Sequence, residues 1–129
     1  MNGLLKKGTE TILLVDDEKD LREIGSEMLG LLGYTVFVAD GGKEALRIYA
    51  REKDKINMVI LDLMMPDIDG GATFDKLKEL SPNVKAMLSS GYNKDRKTIE
   101  ILSRGFKAFI QKPFRLEELS NQVRNVLEK

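Results

Sequence analysis

Five short β-prone stretches alternate along the chain with longer segments in which apolar residues recur every three or four positions. Thr11–Val15 (TILLV) and Met58–Leu61 (MVIL) are continuous apolar runs followed at once by an acid, as expected of strands buried on both faces of a parallel sheet. Val36–Ala39, Lys85–Leu88 and Ala108–Ile110 are three further candidate strands. Leu21, Ile24, Met28, Leu31 and Leu32 step by 3, 4, 3 and 1, the apolar stripe of a helix from Lys19 to Leu32, and Gly33 is placed to end it. Leu116, Leu119, Val123, Val126 and Leu127 repeat those steps near the C-terminus. Gly42–Arg51, Gly70–Leu80 and a segment from about Asn93 to Arg104, stopped by Gly105, are the remaining helices. Five alternations of strand and helix predict a parallel sheet with helices on both faces. Residues 1 to 10 read as a leader, loose at least through residue 9, ahead of one domain over 11–129.

In such a sheet, right-handed crossovers bring the carboxyl ends of the strands to one edge, where ligands bind. Asp16, Asp17 and Glu18 follow the first strand, Asp62 the third, Ser89 and Ser90 close the fourth, and Lys112 follows the fifth. Any one polar strand end is an ordinary exit into solvent. Carboxylates from two neighbouring strands, however, repel and raise one another's pKa unless a positive charge sits between them. Hard oxygen donors on a rigid edge suit Mg²⁺, which takes one or two carboxylates and keeps waters. Lys112 would add a second positive charge. A carboxylate beside a divalent cation and a lysine, with a hydroxyl opposite, is the equipment for accepting a phosphoryl group.

Composition narrows the chemistry further. The 129 residues hold no cysteine and no histidine, which removes disulfides, thiolate nucleophiles, Cys/His zinc sites and imidazole acid/base catalysis. With 21 basic and 21 acidic residues the formal charge is zero, so no nucleic-acid or membrane partner is expected. No apolar run approaches the ~20 residues of a membrane span, and Met1 to Lys7 lacks the apolar core of a secretory signal, so a cytoplasmic protein is expected.

ILLVDDE (12–18), GYTVFVADGGKEAL (33–46), MVILDLMMPDIDG (58–70), AMLSSGY (86–92) and FIQKPF (109–114) occur in that order. Together they resemble the receiver domain of two-component response regulators, from about Thr11 to Leu127. The resemblance implies a flavodoxin-like (βα)5 fold, a doubly wound five-stranded parallel sheet in a three-layer α/β/α sandwich. It implies a phosphorelay switch and not an enzyme in its own right, with catalysis limited to its own phosphorylation and slow autodephosphorylation. Asp62 resembles the phospho-accepting aspartate. Asp17 resembles the direct Mg²⁺ ligand and Asp16 the acid that holds the metal's water, with Asp62 and the backbone carbonyl of Met64 completing the metal set. Lys112 resembles the lysine that pairs with the phosphoryl oxygen. For the hydroxyl, the spacing to that lysine favours Ser90, followed by the small Gly91, with Ser89 as the alternative. Serine stands where the family more often has threonine. Pro113 matches a proline whose preceding bond is usually cis, and Phe109 the aromatic switch residue. Asp67, Asp69 and Gly70 read as the turn and helix start after Asp62, without chemistry.

Implied partners are a sensor histidine kinase or histidine phosphotransfer protein as donor and a downstream protein that meets the face of the fourth helix, fifth strand and fifth helix. A phosphorylation-dependent homodimer stays open. The chain ends near Lys129 with no DNA-binding or enzymatic domain, so output through protein contact is expected. The motif set is similar to receivers of hybrid sensor kinases, so a stand-alone regulator and an excised module both fit. Met64 and Tyr92, two residues beyond Asp62 and Ser90, offer no acid or amide to position a hydrolytic water, which implies a long-lived phosphoryl state. Three other readings fit less well. A haloacid-dehalogenase-type phosphatase wants an acid at position 64, an FMN binder wants a Ser/Thr/Gly-rich loop after the first strand, and a dinucleotide enzyme wants GxGxxG there. The remaining alternative is a pseudo-receiver, a phosphorylation-independent binding module, although such modules usually lack one of the acids or the lysine.

Overall fold

The computed structural model describes residues 5–91 and 94–129. Strands β1 (Thr11–Val15), β2 (Thr35–Ala39), β3 (Met58–Asp62), β4 (Ala86–Ser90) and β5 (Ala108–Gln111) alternate with helices α1 (Lys19–Leu31), α2 (Gly42–Glu52), α3 (Gly70–Leu80), α4 (Arg96–Leu102) and α5 (Leu116–Leu127). All pairings are parallel, in the order β2-β1-β3-β4-β5. The chain therefore reverses direction across the sheet between β2 and β3, and the carboxyl ends of β1 and β3 lie side by side at the switch point, where a crevice opens in sheets of this kind.

The core forms two layers because strand side chains alternate between faces. Ile12, Leu14, Met58, Ile60, Met87 and Ile110 pack under Leu29, Leu119, Val123 and Val126 of α1 and α5. Leu13, Val15, Val59, Leu61 and Ala86 face Ala45, Ile48, Tyr49, Phe74 and Leu77 of α2 and α3. The three central strands are buried along nearly their whole length, which is why the apolar runs of β1 and β3 are continuous and not alternating. Full burial of a Leu, Ile or Val side chain contributes about 1.5–3 kcal/mol, so these two layers carry the stability of the fold.

The helix expected over about Asn93–Arg104 is shorter. It runs Arg96–Leu102, because Asp95 stands in extended backbone and accepts from the Thr98 amide at 2.8 Å, which fixes the first turn. At the other end Gly105 sits at φ +129°, and the chain turns out of the helix. Asn93 lies outside the described residues. This helix buries only Thr98 and Ile101.

The segment before β1 is not loose over its described part. The Lys6 amide donates to the Ser120 hydroxyl (2.6 Å), which donates back to the Lys6 carbonyl (2.9 Å), and Leu5 packs on the α1/α5 layer. The Gly8 amide reaches the Leu32 carbonyl at 3.0 Å, and Glu10 pairs with Arg124 at 2.9 Å. Gly33, at φ +100°, lets the turn after α1 come against the Gly8 carbonyl, where a side chain would collide.

Candidate functional site

Asp16 is the first residue past β1 and is buried, with 4% of its surface exposed. Its carboxylate is fixed from two directions. One oxygen accepts from the Glu18 amide at 2.9 Å and the other from the Lys112 ammonium at 3.1 Å. Arg22, one turn into α1, donates to the Asp16 carbonyl at 2.8 Å and so ties the loop to the helix. Asp17 is exposed beside it.

Asp62 closes β3 and is also buried, at 3%. Lys112 reaches it at 3.2 Å, so one ammonium bridges the acids of two adjacent strands. Lys112 follows β5 directly; its amide donates to the Ser90 carbonyl at 2.7 Å, and its bond to Pro113 is cis. Gly70, at the start of α3, donates to the Leu63 carbonyl at 2.8 Å. A Cβ at that glycine would lie 2.5 Å from the Asp62 carbonyl oxygen, so only glycine lets α3 begin this close to β3.

Carboxylate oxygens of Asp16, Asp17 and Asp62 lie within 4.8 Å of one another. Burial pushes the Asp62 carboxyl up; Lys112 pulls it back, Asp16 raises it again, and the result is about 7. Burial also weighs against the Lys112 ammonium, but Asp62 and Asp16 outweigh it and hold its pKa above the ordinary lysine value. One lysine thus faces three acids. The cluster offers oxygen donors only and carries excess negative charge, which is what a hard divalent cation such as Mg²⁺ requires, so the residues present fit that ion.

Met64 is exposed and lines an open cleft with Asp62, Gly91, Lys112, Pro113, Glu18 and Leu21. The two serines face opposite sides of the sheet. Ser89 is the register partner of Asp62 and lies on the α1/α5 side with Met87. Ser90 follows Leu88 onto the other side, where Leu88, Leu63 and Ile101 form a small cluster that Phe109 packs against. The structure therefore brings Asp16, Asp17, Asp62 and Lys112 together, sets Met64 at the cleft, and puts Ser90 on the side of Phe109. Tyr92 lies outside the described residues.

The model of the response regulator receiver domain matches residues 12–124. The chain belongs to the response-regulator receiver family. This receiver is 35% identical over 122 residues to the sensor kinase CckA of Brucella abortus, covering 95% of the chain but 13% of that kinase. It is 38% identical over 120 residues to the probable transcriptional regulator ycf27 of Porphyridium aerugineum, covering 93% of the chain and 49% of that protein. The receiver thus spans half or less of these relatives. Among solved structures, a receiver domain protein from Clostridium thermocellum superposes with a TM-score of 0.87 at 25% identity, covering 92% of this chain and 94% of that one. TrrA of Thermotoga maritima, solved in complex with Mg²⁺-BeF, superposes with a TM-score of 0.81 at 30% identity, covering 92% and 99%. The flavodoxin-like fold expected from the motifs is the fold found. Among the described residues no helix is long and apolar enough to cross a membrane.

One residue has a role in this receiver that the sequence did not disclose. Asp67, read as part of the turn before α3, reaches across to the start of α2, accepting from Gly42 at 3.2 Å and Lys43 at 3.0 Å as well as from Ile68 at 2.7 Å. The only hint was a helix beginning at Gly41–Gly42 with no side chain of its own to cap it. Asp69 caps α3 through the Ala72 amide at 2.8 Å, in keeping with its reading as a helix-start residue.

Proposed function

We propose that the protein is a phosphoacceptor switch of a two-component phosphorelay, with Asp62 as the acceptor. The observation that carries this is the single Lys112 ammonium bridging buried Asp62 and Asp16 at the crevice of the sheet. A Asp62 oxygen attacks the phosphorus of a phosphohistidine on a sensor kinase or phosphotransfer protein; the new O–P bond forms as the P–N bond breaks, and the imidazole leaves with the electron pair. Asp16, Asp17, Asp62 and the Met64 carbonyl would hold Mg²⁺, which when bound neutralises charge on the phosphoryl oxygens. Lys112 pairs with a phosphoryl oxygen. The reading places the Ser90 hydroxyl as donor to another, supported by the neighbouring Gly91 lining the cleft and by the position of Ser90 on the Phe109 side. Phe109 then repacks, and the face of α4, β5 and α5 changes for a downstream protein partner.

The test is intact mass after treatment with acetyl phosphate, with and without Mg²⁺, beside Asp62→Asn. The expected result is a Mg²⁺-dependent gain of one phosphoryl group that the variant lacks. No gain under any condition, candidate kinases included, would overturn the reading in favour of a binding module that works without phosphate.

A further inference from the structure

Behind Lys112, on the α1/α5 side of the sheet, lies a second cleft of about 90 Å³. Its walls are Leu14 from β1, Leu21, Ile24 and Met28 from α1, and Phe114 from the loop into α5. At its polar end stand Ser89, Asp16 and Lys112. Asp16 and Lys112 satisfy each other there at 3.1 Å, and the second Asp16 oxygen is taken by the Glu18 amide. Ser89 differs. It is 97% buried, its carbonyl is used by the Leu63 amide at 2.9 Å, and no hydrogen bond reaches its hydroxyl from the described residues. A buried hydroxyl without a partner is costly, and such groups are normally paired.

We propose that this cleft is a binding site for a small neutral organic molecule with an apolar body and one hydroxyl. The apolar walls take the body. The Ser89 hydroxyl, able both to donate and to accept, takes the polar end. Charge is disfavoured because both Asp16 oxygens and the Lys112 ammonium at that end are already engaged by protein groups, so an ionised ligand would lose its hydration without a free partner of opposite charge. The volume limits the ligand to a handful of non-hydrogen atoms, since an engineered 150 Å³ apolar cavity is filled by benzene. The site is separate from the acceptor cleft, where Asp62, Met64 and Gly91 line the wall, although Leu21, Lys112 and Pro113 border both.

The experiment is an amide NMR titration of the intact, unphosphorylated protein with 1-butanol, butyrate and butylammonium, repeated on Ser89→Ala. Because it reads binding and not phosphoryl transfer, its outcome is independent of whether Asp62 accepts phosphate. Saturable shifts at Ile24, Met28, Ser89 and Lys112 are expected with 1-butanol at a Kd on the order of 1–10 mM. Both ions should bind at least about 10-fold more weakly, given the desolvation cost of an unpaired charge. Ser89→Ala should weaken 1-butanol about 3- to 10-fold, the worth of one hydrogen bond. Linear, unsaturable shifts with 1-butanol would overturn the proposal, as would equal binding of the ions or equal affinity in Ser89→Ala.

Discussion

Asp67 caps a helix that starts 25 residues before it, its carboxylate 3.0 Å from the Lys43 amide. The hydrogen bond from the Lys43 amide, with those from Ile68 and Gly42, holds its pKa below the usual carboxylate value against the opposing effect of burial. A lowered pKa stabilises the fold above the unfolded-state value, and the benefit is lost as pH falls through the folded value. Asp67→Ala is expected to cost about 1 kcal/mol at pH 7, within the range for lost caps. Urea denaturation at pH 7 and pH 3 checks this, with the gap between parent and variant narrowing at the lower pH.

Asp62 should behave in the opposite sense. Its pKa rises from 3.8 to about 7 through burial and Asp16, against the pull of Lys112. The neutral form is favoured in the fold, so this contribution is complete below about pH 4 and lost as pH climbs through about 7. Without metal, Asp62→Asn is expected to be more stable than the parent at pH 8 by about 1–3 kcal/mol and to lose that advantage near pH 4. Thermal melts across that range in a chelator measure it. Saturating Mg²⁺ should remove most of the difference by stabilising the parent alone.

The two serines separate by rate. On the proposed reading, Ser90→Ala slows phosphorylation by acetyl phosphate about 10-fold or more, the effect of removing a transition-state donor, whereas Ser89→Ala changes it less than about 3-fold. Time courses of intact mass decide between them, and the reverse order would transfer the role to Ser89.

Met64 is exposed and lines the cleft beside Asp62 without an amide or acid to hold a water. Met64→Asn is expected to shorten the lifetime of the phosphoryl group about 10-fold, less than the 10²–10⁴ of a fully positioned proton-transfer group because an amide can orient a water but cannot take its proton. Loss of the added mass with time, after the donor is removed, gives the lifetime. An unchanged value would mean that hydrolysis is not limited by the absence of a group there.

Ser120 is buried and pairs with both backbone groups of Lys6. Replacing it with alanine leaves two main-chain groups to seek water and is expected to cost about 1–2 kcal/mol. Amide hydrogen exchange should show faster exchange at Lys6 and Gly8, with the β3 core unchanged.

Most of the architecture could be read from one chain because the evidence was periodic. Continuous apolar runs in β1 and β3 and the stepped stripes of α1 and α5 are local signatures of burial, and each lies where it was expected to within a residue or two. What could not be read depends on contacts distant in sequence. The approach of Asp67 to Lys43 and that of Lys6 to Ser120 leave no mark in either segment alone. The late start of α4 was a local signal left unused, since Asp favours a helix cap over a helix interior and Asp95 is that cap. At the site, the gathering of Asp16, Asp62 and Lys112 followed from strand order, but alternation alone could not say which serine faces which way until the register of β3 against β4 was fixed.

Asp62 closes the middle strand of five, and the two halves of the sheet beside it are not equally braced. On one flank, β1 is pinned by Arg22, by the thirteen residues of α1 and by the strap that ends at Glu10. On the other, β4 leads into a seven-residue helix with two buried side chains. On the proposed reading, the negative charge a phosphoryl group brings to the centre pushes against a stiff wall and a compliant one, and displacement is expected toward the compliant one. In that reading the direction of the signal is set by the lightly buried α4 side, before any partner is present to receive it.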